Sequence, residues 1–449
     1  MEDFEVIASI IQQERPTTTI TTDTTLLHTQ AVDGVEPRVI VTPDTSDDMA
    51  GIVQVLSNYP LTMLVSGGGT QLNEGGLPEH IDVLLKTTAL KQVLEHEAPD
   101  LTCQCEAGIT LEALQQKLAL HGQHLAIDAP YPELSTIGGI LAANSSGPKR
   151  FRYGIARDLV IGMRVIQANG EIARSGGRVV KNVAGYDLNK LYIGSRGTLG
   201  IIIEANFKLH PLPEKEQTLL LTADRLEDLI QTIIELTQSQ LTPSAIELLT
   251  SDITTATSGR QITNGGNRYT LAVDYEGSTI TIVRQIDETR KIANRHHTQI
   301  KHDLTGTEQD TFWRTVRNHM HGILTCKVSI LVSQLGTYIQ DVERICHEHN
   351  LSASIVAHAG NGILFIELPV AEALYTHQDV SHVLEIVTLL RQRASEMAGF
   401  LIIERCPTQL KPYLDIWGET GGNFYLMQRL KQQFDPQGLF VRGRFLGGL

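Results

Sequence analysis

The stretch Leu64–Leu72, LVSGGGTQL, sets three consecutive glycines at the end of an apolar run, where packing ordinarily calls for side chains. Glycine opens positive φ and lets another group approach the main chain closely, at a cost in conformational entropy. A tight turn accounts for one of the three. The second and third call either for an anion held by successive N–H groups or for a flexible loop with no function. Upstream, Arg38–Thr42 reads as a strand, and Met49, Ile52, Val53 and Leu56 mark a helix with one apolar face. "LTMLV" then returns as a strand, so the glycines close a strand, helix, strand unit. Residues 1–34, Thr-rich and weakly periodic after Ile11, read as a loosely attached N-terminal arm.

A second glycine-rich stretch lies some 70 residues on. "AIDAPYPELSTIGGILAANSSGPKRFRYG" breaks all periodicity and contains Gly138, Gly139, Gly147 and Gly154. A long irregular segment inside a compact region is usually functional. Before it, Leu111, Leu114 and Leu118 space a helix, with Gly122 at a left-handed cap. After it, "LVIGMRVIQANGEIARS" predicts a hairpin turning at Asn169-Gly170. "LGIIIEANFKLHPLP" alternates as a strand closed by Pro211 and Pro213, which places a domain border there. Residues 214–410 alternate strands and helices in the order of a ferredoxin-like α+β domain. Residues 411–449 read as a C-terminal helix, with Leu426, Leu430 and Phe434 in register, and a tail that packs back on the first domain. The fold class is α+β.

Composition narrows the function. The 449 residues are 41% hydrophobic and 20% charged, and no apolar run reaches the roughly 18 residues of a membrane span. "MEDFEVIASI" carries acid where a secretory signal carries Lys or Arg, which predicts a cytoplasmic protein, reaching a membrane only through partners. The net charge of −14 argues against nucleic acid. Phosphate held by backbone amides remains open. Five scattered cysteines, with no CxxC, read as reduced thiols, and the spacing of a protein-bound iron-sulfur cluster is absent.

The glycines fail two nucleotide fingerprints. GxGxxG would need glycine where Leu72 stands, and a Walker A loop is broken by Pro148 between Gly147 and Lys149. Two glycine segments, 66–70 and 136–147, remain, each able to aim N–H groups at one large anion such as a pyrophosphate.

Four ordered motifs carry a resemblance: "VSGGGTQL", "STIGGILAANSSGPKRFRYGIARDLVIG", "VVKNVAGYDLNKLYIGSRGTLGIIIE" and "FDPQGLFVRGRF". Together they resemble the FAD-binding oxidoreductases of the vanillyl-alcohol oxidase, or PCMH, type. "GGRVVKNVAGYDLNKL", "CPTQLKPYLDIWG" and "GRFLGGL" are similar to the FAD-binding E subunits of glycolate oxidases. The resemblance implies a two-subdomain PCMH-type FAD-binding domain over 35–213. It implies that Ser66, Gly67, Gly68, Gly69 and Thr70 wrap the FAD pyrophosphate, with Thr136, Gly138, Gly139, Asn144 and Gly147 as a second wall. Tyr153, Gly154 and the backbone of Ile202 complete the cofactor set. Gly69 and Thr70 stand where covalent relatives place a histidine, so the FAD is expected to be non-covalent.

Oxidising a 2-hydroxy acid needs a hydride acceptor, a cation for the carboxylate and a base for the hydroxyl proton. Arg317 in "FWRTVRNH" resembles the carboxylate-clamping arginine of related dehydrogenases, and His358 in "HAGNG" their base or metal histidine. Asn361 replaces the acid of that motif and "IIERCPTQL" replaces a later histidine segment, so no metal is expected. His319, His321, His347 and His349 read as solvated or helical residues, two ligands at that spacing making no coordination sphere. Two readings stay open: a subunit that oxidises glycolate and passes electrons to an iron-sulfur partner, or a relay subunit assembling a paralogous catalytic flavin subunit with the iron-sulfur subunit.

Overall fold

Strands β1 (Thr19–Thr21), β2 (Val39–Thr42), β3 (Met63–Ser66) and β4 (Val83–Lys86) form a sheet in the order β1-β2-β4-β3. They belong to a computed structural model that describes residues 2–15, 17–177, 186–253, 268–319, 322–370 and 376–449. β2, β4 and β3 run parallel, and Val39, Val41, Val83 and Leu85 are buried, the continuous apolar run a parallel strand shows. The helix Ser46–Leu56 joins β2 to β3. Thr45 caps it by accepting the Asp48 N–H at 3.0 Å, and Met49, Ile52, Val53 and Leu56 all point inward.

A second, antiparallel sheet holds β5 (Val93–Glu97), β6 (Thr102–Glu106), β8 (Val160–Ile166), β9 (Ile172–Gly176) and β10 (Ile201–Lys208), in the order β5-β6-β10-β8-β9. β7 (Gln123–His124) pairs separately with β11 (His210–Pro211). The β8–β9 hairpin turns at Gly170, φ +83°, with the Glu171 N–H donating to the Asn169 side chain. β10, in the middle of its sheet, is buried on both faces over its first five residues, Glu204 included, while Asn206 and Lys208 are half-buried.

These elements, with residues 419–449, form one of two units; Gly147–Gly154 and Pro213–Gly418 form the other. The N-terminal region differs from the expected loose arm. Glu2–Glu14 is a helix whose Ile11 is 1% exposed, β1 pairs with β2, and Asp23 caps a helix over Thr24–Thr29. The Thr-rich composition hid β-branched residues suited to an edge strand. The C-terminal helix Phe424–Phe434 also departs from its pattern. Leu426 and Leu430 are exposed and Lys431 is buried.

The second unit is built on one eight-stranded sheet. β12 (Lys215–Thr222), β13 (Ala245–Thr250), β14 (Tyr269–Gly277) and β15 (Gln299–Leu304) come first, then β16 (Leu324–Ser329), β17 (Ser354–His358), β18 (Ile363–Leu368) and β19 (Phe400–Arg405). Their order is β15-β12-β14-β13-β17-β18-β16-β19. Each half is a βαββαβ unit, with the order fourth-first-third-second, and the halves meet where β13 pairs antiparallel with β17. The expected ferredoxin-like domain is therefore two such units in tandem. Helices Leu226–Gln238, Thr279–Arg295, Leu335–Glu348 and His377–Glu396 cover one face, with Leu229, Ile286, Val342 and Leu390 in a common core. The opposite face carries Asp274, Glu276, Glu247, His358, Lys327 and Glu404 on alternate strand positions.

Candidate functional site

In the first unit the glycine loop meets the second glycine segment directly. A Cβ at Gly68 would run into the Leu134 carbonyl, and one at Gly67 into the Thr136 hydroxyl. The Thr70 and Ser135 hydroxyls lie 3.1 Å apart across the same junction. Two of the three glycines are thus explained by backbone approach. Gly69 takes φ +79°, the left-handed region that a side chain disfavours. Among the described residues, no acceptor meets the N–H groups of Gly67, Gly68 or Gly69. Three unspent donors on one loop form a concavity suited to an anion.

That loop borders a cavity of about 830 Å³, part of it open to solvent. Thr136, Gly138 and Gly139 form a second wall, Ser195, Arg196 and Gly197 a third, and Leu64, Val65, Ile201 and Ile202 an apolar lining. Ser66 sits below, buried, with its carbonyl accepting the Thr87 N–H at 2.9 Å. The second segment is not the amide-donating loop expected. Ile137–Ala143 is a short helix capped by Thr136, whose hydroxyl accepts the Gly139 N–H at 3.3 Å. Gly138 donates to the Ala107 carbonyl at 2.7 Å. Its glycine identity serves packing, since a Cβ there would sit 2.9 Å from that of Ala107. Asn144 ends the helix at φ 51° with its side-chain oxygen buried and unpaired among the described residues. The cavity's apolar lining and unspent amides fit a dinucleotide with a diphosphate.

Gly147, Tyr153 and Gly154 belong to the second unit. There Lys149 donates to Glu276 at 2.7 Å and lies 3.4 Å from Glu216. The Tyr153 hydroxyl is held protonated by burial and by a hydrogen bond to Glu276. Gly360 leaves the slot in which the Phe151 ring lies.

His358 and Glu247 face each other across β17 and β13, both 1% exposed. Nδ1 of the imidazole is 2.8 Å from Oε1 and 2.9 Å from Oε2 of the carboxylate. Burial, then the nearby Arg150 and Lys327 cations, push the imidazole well below its ordinary pKa. A neutral ring donating from Nδ1 leaves Nε2 as an acceptor, and among the described residues Nε2 has no partner. The His358 ring packs edge-on against Phe365 at 5.2 Å between centroids. Lys327 lies over that ring at 5.1 Å and donates to Glu404 at 2.7 Å. Lys327 and Glu404 were not singled out from sequence, although the polar alternation Thr325, Lys327, Ser329 marks this face. Arg317 lies near the end of the helix Thr307–His319. Its neighbour Val316 belongs to the apolar cluster that includes Phe365. Residues 178–185 and His321 lie outside the described residues. His349 is not merely solvated: its Nδ1 lies 3.0 Å from Nε2 of His382.

The FAD binding domain family matches residues 37–176, and the family of the C-terminal domain of FAD linked oxidases matches residues 212–405. The chain belongs to the FAD-linked oxidases of PCMH-type fold, and its cofactor is FAD. It is 27% identical to the glycolate oxidase subunit GlcD of Bacillus subtilis, over 91% of this chain and 88% of that one. It is 25% identical to a D-lactate dehydrogenase of Archaeoglobus fulgidus, over 91% of each. Its fold matches p-cresol methylhydroxylase with substrate bound, at a TM-score of 0.76 and 13% identity, over 99% of this chain and 96% of that one.

Proposed function

We propose that this chain oxidises a small 2-hydroxy acid, glycolate in the first instance, to the 2-oxo acid. Bound FAD supplies the hydride acceptor. The N–H groups of Gly67, Gly68 and Gly69 hold its diphosphate, and Thr136, Gly139 and Ile202 line the rest of a non-covalent site. His358 accepts the hydroxyl proton at Nε2, while Glu247 fixes the tautomer through Nδ1. Arg317 and Lys327 supply positive charge for the carboxylate. The observation that carries this reading is the buried imidazole of His358, oriented at Nδ1 by the Glu247 carboxylate and without a partner at Nε2 among the described residues. The likeness to a glycolate oxidase subunit and to a D-lactate dehydrogenase supports the acid class. The word subunit in the first relative's name supports membership of a complex; the partners we propose are a paralogous flavin subunit and an iron-sulfur subunit that takes the electrons. No helix among the described residues is long and apolar enough to cross a membrane, in keeping with a cytoplasmic subunit that meets a membrane only through such partners.

A second reading, an electron-relay subunit beside a paralogous catalytic flavoprotein, is favoured by the 1% exposure of His358, which closes the base off. Anaerobic titration of the purified chain with glycolate and D-lactate separates the two. Bleaching of the flavin band by the chain alone supports catalysis here. A band that persists until the paralogous subunit is added supports the relay.

A further inference from the structure

The C-terminal segment lies beyond both matched family regions, yet it braces two walls of the cavity in its own unit. Residues 439–441 run beside β3: the Met63 N–H donates to the Leu439 carbonyl at 2.7 Å, and the Val441 N–H to the Met63 carbonyl at 3.1 Å. From there the Arg444 guanidinium enters the loop that follows the glycines. Nη1 donates to the Asp33 carboxylate at 3.0 Å and to the Gly76 carbonyl at 3.2 Å. Nη2 donates to the carbonyls of Leu72 and Glu74, the latter at 2.6 Å. On the opposite wall, Lys431 Nζ donates to the Thr198 carbonyl at 2.9 Å, next to Arg196 and Gly197. Arg196 in turn bonds Glu74 at 2.6 Å.

The loop from Gly67 to Ile81 has no helix or strand to fix its backbone. Its carbonyls at 72, 74 and 76 converge instead on one planar fork, which only arginine provides. Leu72 is tied back to the glycines, its N–H donating to the Gly69 carbonyl at 3.2 Å. Holding the carbonyl of Leu72 therefore holds the turn that presents the Gly67–Gly69 amides.

We propose that Arg444 is a positioning residue for FAD, which makes retention of the cofactor depend on the C-terminal tail. The inference rests on the glycine-loop cavity being the FAD site. The test is FAD affinity of the full-length apoprotein, by quenching of FAD fluorescence, alongside thermal unfolding of the same apoprotein. Arg444→Lys keeps the charge and loses the fork; it should fold and bind FAD roughly tenfold more weakly, about the weight of one charge-assisted hydrogen bond. Arg444→Met should bind more weakly still. Leu439→Ala, which thins the core beside β3 without touching the loop, should lower the unfolding temperature and leave FAD affinity near wild type. Wild-type affinity in Arg444→Lys overturns the proposal, whatever Arg444→Met does. So does equal weakening in Leu439→Ala at matched loss of unfolding temperature. Gly69→Val separates the underlying assignment: if it binds FAD normally, the cavity is not the site and the proposal falls with it. If it loses FAD and Arg444→Lys does not, the tail role alone is wrong.

Discussion

Nδ1 of His358 is 2.8 Å from a carboxylate oxygen of Glu247, and both side chains are 1% exposed. The histidine's proton affinity is depressed in the fold, so the unfolded chain binds a proton that the native chain refuses. Stability is then complete above the unfolded value near 6.5 and falls as pH drops below it, by up to about 1.4 kcal/mol per pH unit. His358→Gln keeps a donor toward Glu247 and cannot titrate in this range. Its unfolding free energy, measured by denaturant titration from pH 7 to pH 5, should be flatter than wild type. Parallel curves would count against a depressed histidine.

Gly69 sits at φ +79° with only the Leu72 side chain, 3.8 Å away, where a Cβ would project, whereas Gly68 abuts the Leu134 carbonyl. Gly69→Val should strain the backbone by about 1–3 kcal/mol and abolish FAD binding. Gly68→Ala should separate the two glycine segments and lower apoprotein stability as well. Calorimetry of the apoproteins with FAD titration reads both effects.

Lys149 is held charged by Glu276 and Glu216 in the second unit. Lys149→Met leaves the buried Glu276 without its cation and should cost about 3 kcal/mol in denaturant unfolding. Glu276→Gln in the same background should recover part of that loss. Additive single-variant costs would show that the pair is not coupled.

Arg317→Lys keeps a cation but loses bidentate geometry. In steady-state assays of the holoenzyme it should raise KM for the acid more than it lowers kcat. A pure kcat effect would remove Arg317 from carboxylate binding.

Local pattern reached the glycine loop, the Asn169-Gly170 hairpin and β10 as a strand, because each is decided within a dozen residues, though not the burial of Glu204 on the second face of β10. What it missed is non-local. Glu247 and His358 are 111 residues apart, and Arg444 and Glu74 are 370 apart. The tandem ferredoxin-like halves share an order of elements with no short sequence period, so nothing in the residue pattern announces the second. Lys431 misled for a different reason. Its burial is set by Asp435 at 2.6 Å and the Thr198 carbonyl, while Leu426 and Leu430 stay outside. Helical periodicity assigns the opposite face.

The claim that this chain performs the oxidation is tested most directly by anaerobic stopped-flow of the FAD-loaded protein alone with glycolate, unlabelled and deuterated at C2. Flavin bleaching on mixing, slower with the deuterated acid and suppressed in His358→Gln, is the predicted result. Flavin that stays oxidised with the chain alone, or bleaches at a rate indifferent to deuterium and to His358, would contradict it.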